Sequence, residues 1–183
     1  TWITIPYPEG VEQSENPNGY LTTKTIIRLA ASSKDNIWVA ISSDTIYEYK
    51  DKQWNYYSPE RMGWNDILYN YINDIMIDSK GIVWFAASKD STEDPALVSY
   101  DGNIWEKYTF VLTSNGHMYS PWQNSVRSIS EDKDGVIWGA GDTGVIRVNP
   151  DRSWEVYTVA GNDSLDGMKS VSVGFDNVKW FAG

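Results

Sequence analysis

Short apolar runs recur along the chain, separated by polar turn formers, and no long segment carries a helical period. One group of runs reads as a first strand, at Ile26 to Ala31, Ile72 to Ile77, Val126 to Ser130 and Met168 to Val173. Each is followed by a polar step and a second run with a tryptophan near its start. A third strand follows as "TIYEYK" (45–50), "ALVSY" (96–100) and "GVIRVN" (144–149), and a fourth opens at another tryptophan. Runs of this length, bounded by Asp, Asn and Gly, predict antiparallel β-structure. The Asp35-Asn36, Lys80-Gly81, Asp134-Gly135 and Asp101-Gly102 steps are expected to form two-residue hairpin turns, which need left-handed backbone.

The strand pattern repeats. "SSKDNIWVAIS" (32–42), "IDSKGIVWFAAS" (77–88), "SEDKDGVIWGAG" (130–141) and "VGFDNVKWFAG" (173–183) align with Trp38, Trp84, Trp138 and Trp180 in register. A second signature, "QWNYYS" (53–58), "IWEKYTF" (104–110) and "SWEVYTV" (153–159), follows each complete copy, and "TWITIPY" (1–7) resembles it. Tryptophans of the first kind are 46, 54 and 42 residues apart, and those of the second 52, 51 and 49. A period of about 40 to 50 residues is that of a four-stranded propeller blade. The expected fold is therefore all-β. One domain spans 1–183, with a terminal strand at 1–7, blades at 25–59, 71–110 and 125–159, and a partial blade at 168–183. The recurring rings are expected to fill the wedge between neighbouring blades.

Composition narrows the function. The 183 residues hold 15 Lys plus Arg against 25 Asp plus Glu, a formal charge of −10 that repels polyphosphate, so nucleic acid is not an expected partner. No run of 18 apolar residues occurs, so membrane insertion of this segment is not expected. With no cysteine there is neither a disulfide framework nor thiolate chemistry. Ten Trp and twelve Tyr against four Phe supply amphipathic rings suited both to sheet packing and to recognition.

"NSVRSISEDKDGVIWGAGDTGVIRVN" (124–149) resembles the two-component regulator propeller repeat, and the copies beginning near Thr25 and Tyr71 are looser matches. The resemblance implies a seven-bladed propeller, often paired, serving as the extracytoplasmic sensor of bacterial hybrid histidine kinases, hence a periplasmic or extracellular location. Virginiamycin B lyases are similar in the same repeat. The sialidase Asp box is a more distant cousin, with Ile37, Val83, Ile137 and Lys179 here in place of its Thr.

Both ends read as unfinished blades: a lone last strand at Trp2 to Tyr7, and two strands only at Met168 to Gly183. Three arrangements complete the sheet: the chain closing on itself as a four-bladed ring, two chains meeting head to tail, or a sector joined to further blades. Self-association or pairing with further blades is thus the expected protein partnership.

The longest insertions, 8–24, 58–70, 88–96 and 110–124, connect the fourth strand to the first or the second to the third, so all are expected on one rim. Long loops on a rigid scaffold are the usual place for recognition. The candidate ligand-binding residues there are Arg61, Trp64, Asn65, Asp66, Tyr69, His117, Tyr119, Trp122 and Asn124. Rings with amides and a guanidinium suit a sugar or another small molecule; the alternative is that Trp64 and Trp122 only cap the blades. Arg28, Asp74, Arg127 and Lys169, on or beside the innermost strands, line the central channel or pair between blades on the same reading.

No catalytic residue, metal site or cofactor is expected. His117, the only histidine, has no partner identifiable in sequence. Asp132 and Asp134 alternate as in a calcium loop but lack the ligands that follow, and Asp90, Glu93 and Asp94 read as solvated charge. No nucleophile-elbow, zincin, P-loop or dinucleotide motif occurs in a usable context. The expected function is a non-enzymatic ligand-sensing or protein-interaction module. The alternatives are a propeller lyase or glycan-active enzyme using His117 with Glu60, Asp66 or Glu93, and a structural scaffold.

Overall fold

Three four-stranded antiparallel sheets follow one another, each a simple meander, and a two-stranded sheet follows the third. The computed structural model describes residues 4–5, 14–15, 21–22, 26–41, 45–58, 61, 71–88, 95–109, 113–114, 117–118, 125–142, 144–158 and 167–183. Two short strands, β1 (Ser14–Glu15) and β2 (Leu21–Thr22), pair ahead of the first blade. Blade 1 is β3 (Ile26–Ser33), β4 (Asn36–Ile41), β5 (Thr45–Lys50) and β6 (Gln53–Tyr57). Blade 2 is β7 (Tyr71–Ile77), β8 (Val83–Ser88), β9 (Leu97–Tyr100) and β10 (Trp105–Tyr108). The hairpin β11 (Thr113–Ser114) and β12 (His117–Met118) precedes blade 3, which is β13 (Val126–Glu131), β14 (Ile137–Gly141), β15 (Gly144–Val148) and β16 (Trp154–Thr158). Blade 4 consists of β17 (Ser170–Val173) and β18 (Lys179–Ala182). Of the terminal strand expected at 1–7, only Thr4 and Ile5 lie among the described residues, and they are not in a strand.

The register makes the repeat a structural one. Trp38, Trp84, Trp138 and Trp180 each pair with the residue eight places earlier, namely Ala30, Met76, Ser130 and Ser172. Across each complete sheet the ring meets a tyrosine of the fourth strand: Trp38 with Tyr57 at 5.0 Å, Trp84 with Tyr108 at 5.6 Å and Trp138 with Tyr157 at 6.4 Å between centroids. The first strands lie side by side, β3 against β7, β7 against β13 and β13 against β17, so they form the innermost layer.

Each tryptophan face covers the next blade. Trp38, Ala40, Ile46 and Tyr57 pack with Ile75, Val83, Phe85 and Val98, and Trp84, Ala86, Leu97 and Tyr108 pack with Ile129, Ile137, Ile146 and Val148. Ala140 and Val145 pack likewise with Met168 and Val171, with Trp138 and Phe181 alongside. Trp38 is 1% exposed, whereas its counterpart Trp180 is 66% exposed. Leu29 is 59% exposed, although its counterparts Ile75, Ile129 and Val171 are each 6%. The described blades therefore leave one wedge face open at each end, and blade 4 does not close onto blade 1 as a four-bladed ring.

The turns differ from the two-residue hairpins expected between the first and second strands. In blade 2 the Asp78 amide donates to Ile82 O (2.9 Å) and the Gly81 amide to Asp78 O (2.9 Å), with Gly81 at φ 84°. Blade 3 repeats this through Asp132, Val136 and Gly135, and blade 4 through Gly174, Val178 and the left-handed Asn177. Such a loop is a turn closed by one left-handed residue, so only that residue needs positive φ. In blade 1 the turn is Lys34–Asp35, neither with positive φ, and Asn36 already belongs to β4. Asp101–Gly102 is likewise part of a longer turn, closed by the Asp101 carboxylate on the amides of Asn103 and Ile104.

An aspartate six residues before the tryptophan fastens two of these turns. Asp78 accepts from the amides of Lys80 (2.9 Å) and Ile82 (2.8 Å) and from the indole N–H of Trp84 (2.9 Å). Asp132 accepts from Asp134 (2.9 Å), Val136 (3.0 Å) and the Trp138 indole (2.9 Å), and Lys179 of blade 4 adds an ion pair at 2.9 Å. Burial by itself would raise the pKa of Asp132; the bonds from Trp138, Lys179, Val136 and Asp134 outweigh it and hold the group at about 2. Blade 1 has Ser32 at this position, and the buried Trp38 indole N–H has no hydrogen-bond partner among the described residues. Because the folded pKa of Asp132 lies below its ordinary 3.8, its contribution is complete above that value and drains away as the pH falls toward 2. Asp132→Asn is expected to lower the unfolding free energy by about 2 kcal/mol at pH 7 and by little near pH 2, measured by urea denaturation at both pH values.

Candidate functional site

Strand pairing places every long connection at one end of the sheets. Ile26 pairs with Ile41, Ile41 with Thr45, and Ile46 with Tyr57, so the 42–44 and 58–70 connections leave the same edge; blades 2 and 3 repeat the arrangement. The 110–124 insertion contains the β11–β12 hairpin, where an irregular loop was expected.

Of the expected ligand-binding residues, Arg61 is exposed, and its amide donates to Ser58 O at 3.1 Å. His117 lies on β12 opposite Ser114. Trp64, Asn65, Asp66, Tyr69, Tyr119, Trp122 and Asn124 lie outside the described residues, as do Glu60, Asp90, Glu93 and Asp94. Asp132 and Asp134, weighed in sequence as a calcium loop, instead serve a turn: Asp132 holds the Trp138 indole, and Asp134 accepts from the Asn177 side chain at 3.2 Å. Among the described residues no three acidic or histidine side chains gather as a metal site.

The inner strands bring together what the sequence left scattered. The first strand of each complete blade carries a β-bulge at the same place, between Ile26 and Arg28, Ile72 and Asp74, and Val126 and Ser128. A bulge adds one unpaired residue and re-aims its side chain. Here it falls beside the long-connection end, and the unpaired residue is Ile27 in blade 1, Asn73 in blade 2 and Arg127 in blade 3. Arg28, Asn73, Arg127 and Lys169 line one cleft of about 300 Å³ between the four inner strands. The last three share one repeat position, eleven residues before the tryptophan of their blade. Asn73 was not among the candidates; that shared offset is the signal that finds it.

Hydrogen bonds stitch the inner strands to one another. The Asp74 carboxylate accepts from the amides of Ile75 (3.0 Å) and, in the next blade, Ile129 (2.9 Å), and Ser128 accepts from Val171 N at 3.4 Å. Burial pushes the Asp74 pKa up, against the pull of those amides and of Arg28. Arg28 stands at the equivalent position in blade 1 and has only donors, which it gives to the main-chain oxygens of Asn73 and Ile27. The Asn73 amide donates to Val126 O (2.6 Å) and Ser88 Oγ (3.0 Å). Arg127 forms a two-pronged pair with Asp142, Nε at 3.0 Å and Nη2 at 2.8 Å. Of the sequence-expected inner residues, three therefore line the channel and Asp74 pairs between blades.

Gly141 sets the Asp142 turn: a Cβ there would lie 2.3 Å from Ser125 O, and the Asp142 amide donates to that same oxygen at 3.2 Å.

With this geometry in place, comparison with known proteins identifies the repeat. Residues 120–143 match the model of the two-component regulator propeller family. The chain is similar in fold to the extracellular domain of a hybrid two-component system from B. thetaiotaomicron, at 20% identity and TM-score 0.62, covering 96% of this chain and 22% of that one. It is also similar to virginiamycin B lyase from Staphylococcus aureus, solved with quinupristin, at 18% identity and TM-score 0.62, covering 87% and 49%. A third similarity is to YCF48 bound to D1 peptide, at 15% identity and TM-score 0.57, covering 100% and 51%. The chain thus spans between about a fifth and a half of these structures. Comparison with curated proteins finds no match.

Gly141→Ala is expected to displace the Asp142 turn and loosen its pair with Arg127, lowering the unfolding free energy by about 1 to 3 kcal/mol in chemical denaturation.

Proposed function

We propose that this chain, whose residues 120–143 carry the two-component regulator propeller repeat, is a ligand-sensing or protein-interaction sector of a bacterial extracytoplasmic two-component receptor. The observation that carries the reading is the asymmetry of the blades: rigid stacked sheets, short turns at one end, and every long connection at the other beside an open axial cleft. Recognition belongs to the long-connection end, with Arg61, Trp64, Asn65, Asp66, Tyr69, His117, Tyr119, Trp122 and Asn124 supplying rings and polar groups for a small molecule or an oligosaccharide. A ligand bridging loops of different blades acts by binding one blade arrangement more tightly than another, which is what a receptor needs to shift its equilibrium.

A second reading, assembly, is favoured by the exposed Trp180 and Leu29 faces. They are the two halves of an interface that occurs three times within the chain, so a second copy can supply the missing face at each end in head-to-tail contact. Light scattering of the isolated chain is expected to report a dimer, and Trp180→Glu or Leu29→Glu a folded species of reduced mass. A monomeric wild type at about 100 μM, well above the Kd of a standard interface, removes this reading.

For the sensing role, calorimetry against a panel of neutral and acidic oligosaccharides is expected to find a saturable ligand. Trp64→Ala and Trp122→Ala should weaken its binding about tenfold, in line with the loss of a stacking anchor. Turnover of a panel member that disappears in His117→Ala would replace sensing with catalysis.

A further inference from the structure

The axial cleft presents a chemistry opposite to that of the molecule around it. The chain carries a formal charge of −10, yet Arg28, Arg127 and Lys169 converge with Asn73 on one space of about 300 Å³. Arg28 lies on β3, Arg127 on β13 and Lys169 just ahead of β17, so the cations come from three blades and no local sequence run accounts for their meeting. Their partners are unequal. Arg127 has the Asp142 carboxylate. Arg28 gives its donors to main-chain carbonyls, and neither Arg28 nor Lys169 makes an ion pair among the described residues. Asp74 on β7 accepts at its two oxygens from the amides of Ile75 and Ile129.

Like charges brought together across a cleft repel; an anion between them turns the repulsion into attraction. We propose that this cleft binds the carboxylate of a small acidic ligand, of the size and class of a sugar acid. Its volume is at the lower end of small-molecule sites, large enough for one pyranose ring and too small for a folded partner. The Arg28 guanidinium, whose Nε and Nη1 already serve main-chain oxygens, offers its remaining N–H donors to a carboxylate, and Lys169 a point charge from the opposite side of the cleft. Arg127, held by Asp142, serves as a fixed wall. The inference deepens the sensing role by naming a ligand class, and it rests on the long-connection end being the recognition end.

The test uses the full chain with glucuronate as the probe and glucose as its uncharged control, by calorimetry at low and high salt. Glucuronate is expected to bind saturably and glucose not, with affinity falling as salt rises. Lys169→Met and Arg28→Met should each weaken glucuronate at least tenfold, while Lys169→Arg retains binding. Both side chains are exposed, so the variants are expected to stay folded, which far-UV circular dichroism checks. Failure of glucuronate to bind the folded wild type, or equal affinity in both Met variants, overturns the site. The two readings separate cleanly: a chain that ignores glucuronate but binds a neutral oligosaccharide through Trp64 and Trp122 loses this site and keeps the sensing role. Conversely, glucuronate bound in the cleft and converted to product keeps the site and removes the sensing role.

Discussion

A four-stranded sheet with apolar side chains on both faces cannot be stable alone, and that constraint organises the whole molecule. Burial of a large ring is worth on the order of 2 to 3 kcal/mol, which one blade can realise only by lending its face to the next. Trp38 lies against Phe85 and Tyr100 of blade 2, Trp84 covers blade 3, and Trp138 meets Phe181 of blade 4 at 6.2 Å. Because each blade is wedged on its neighbour in the same way, the first strands are driven side by side toward the axis. The convergence of Arg28, Asn73, Arg127 and Lys169 is a consequence of that packing.

The interfaces share a plan but differ in detail, and the differences are informative. Between blades 2 and 3, Asp78 holds the Trp84 indole, while Arg152 lies 5.6 Å over the same ring and pairs with Glu106 at 2.9 Å. The remaining cleft there is only about 20 Å³. Between blades 1 and 2, Ser32 replaces the aspartate, the indole N–H of Trp38 and Oδ1 of Asn36 have no partner among the described residues, and the cleft is about 130 Å³. Glu48 beside it is buried and accepts from the Tyr57 hydroxyl at 2.8 Å; burial, followed by that bond, pushes the phenol far above its ordinary range, so it remains a donor. The third interface keeps the aspartate on the indole, Asp132 on Trp138, and adds a charge, Lys179 reaching back to Asp132. A repeat fold tolerates such substitutions because each interface is a separate local problem.

The same separation suits recognition. Stacked blades hold the loop ends in place, while the connections at one edge vary in length without disturbing the cores. A cleft on the axis touches several blades at once, so a bound group there senses their mutual arrangement in a way that no single loop can.

The blade order, the two tryptophan positions and the placement of long connections on one rim were all legible from recurring letters, since strand alternation and turn formers act locally. The turn geometry was not. Asp134-Gly135 reads as a two-residue hairpin, but the Asp132 carboxylate, two residues earlier, captures the amides of Asp134 and Val136 and opens the loop. Asn73 has no chemical signature of its own in an apolar strand; only the offset from tryptophan that it shares with Arg127 and Lys169 marks it, and the bulge leaves it unpaired. The linear chain by itself determined which residues form blades and which way each blade's apolar faces lie, because those depend on neighbours within a few positions. Only the tertiary structure decided that cations from β3 and β13 and Lys169 ahead of β17 share one cleft, and that Asp74 bonds an amide 55 residues away, because radial packing sets distances that sequence separation does not encode.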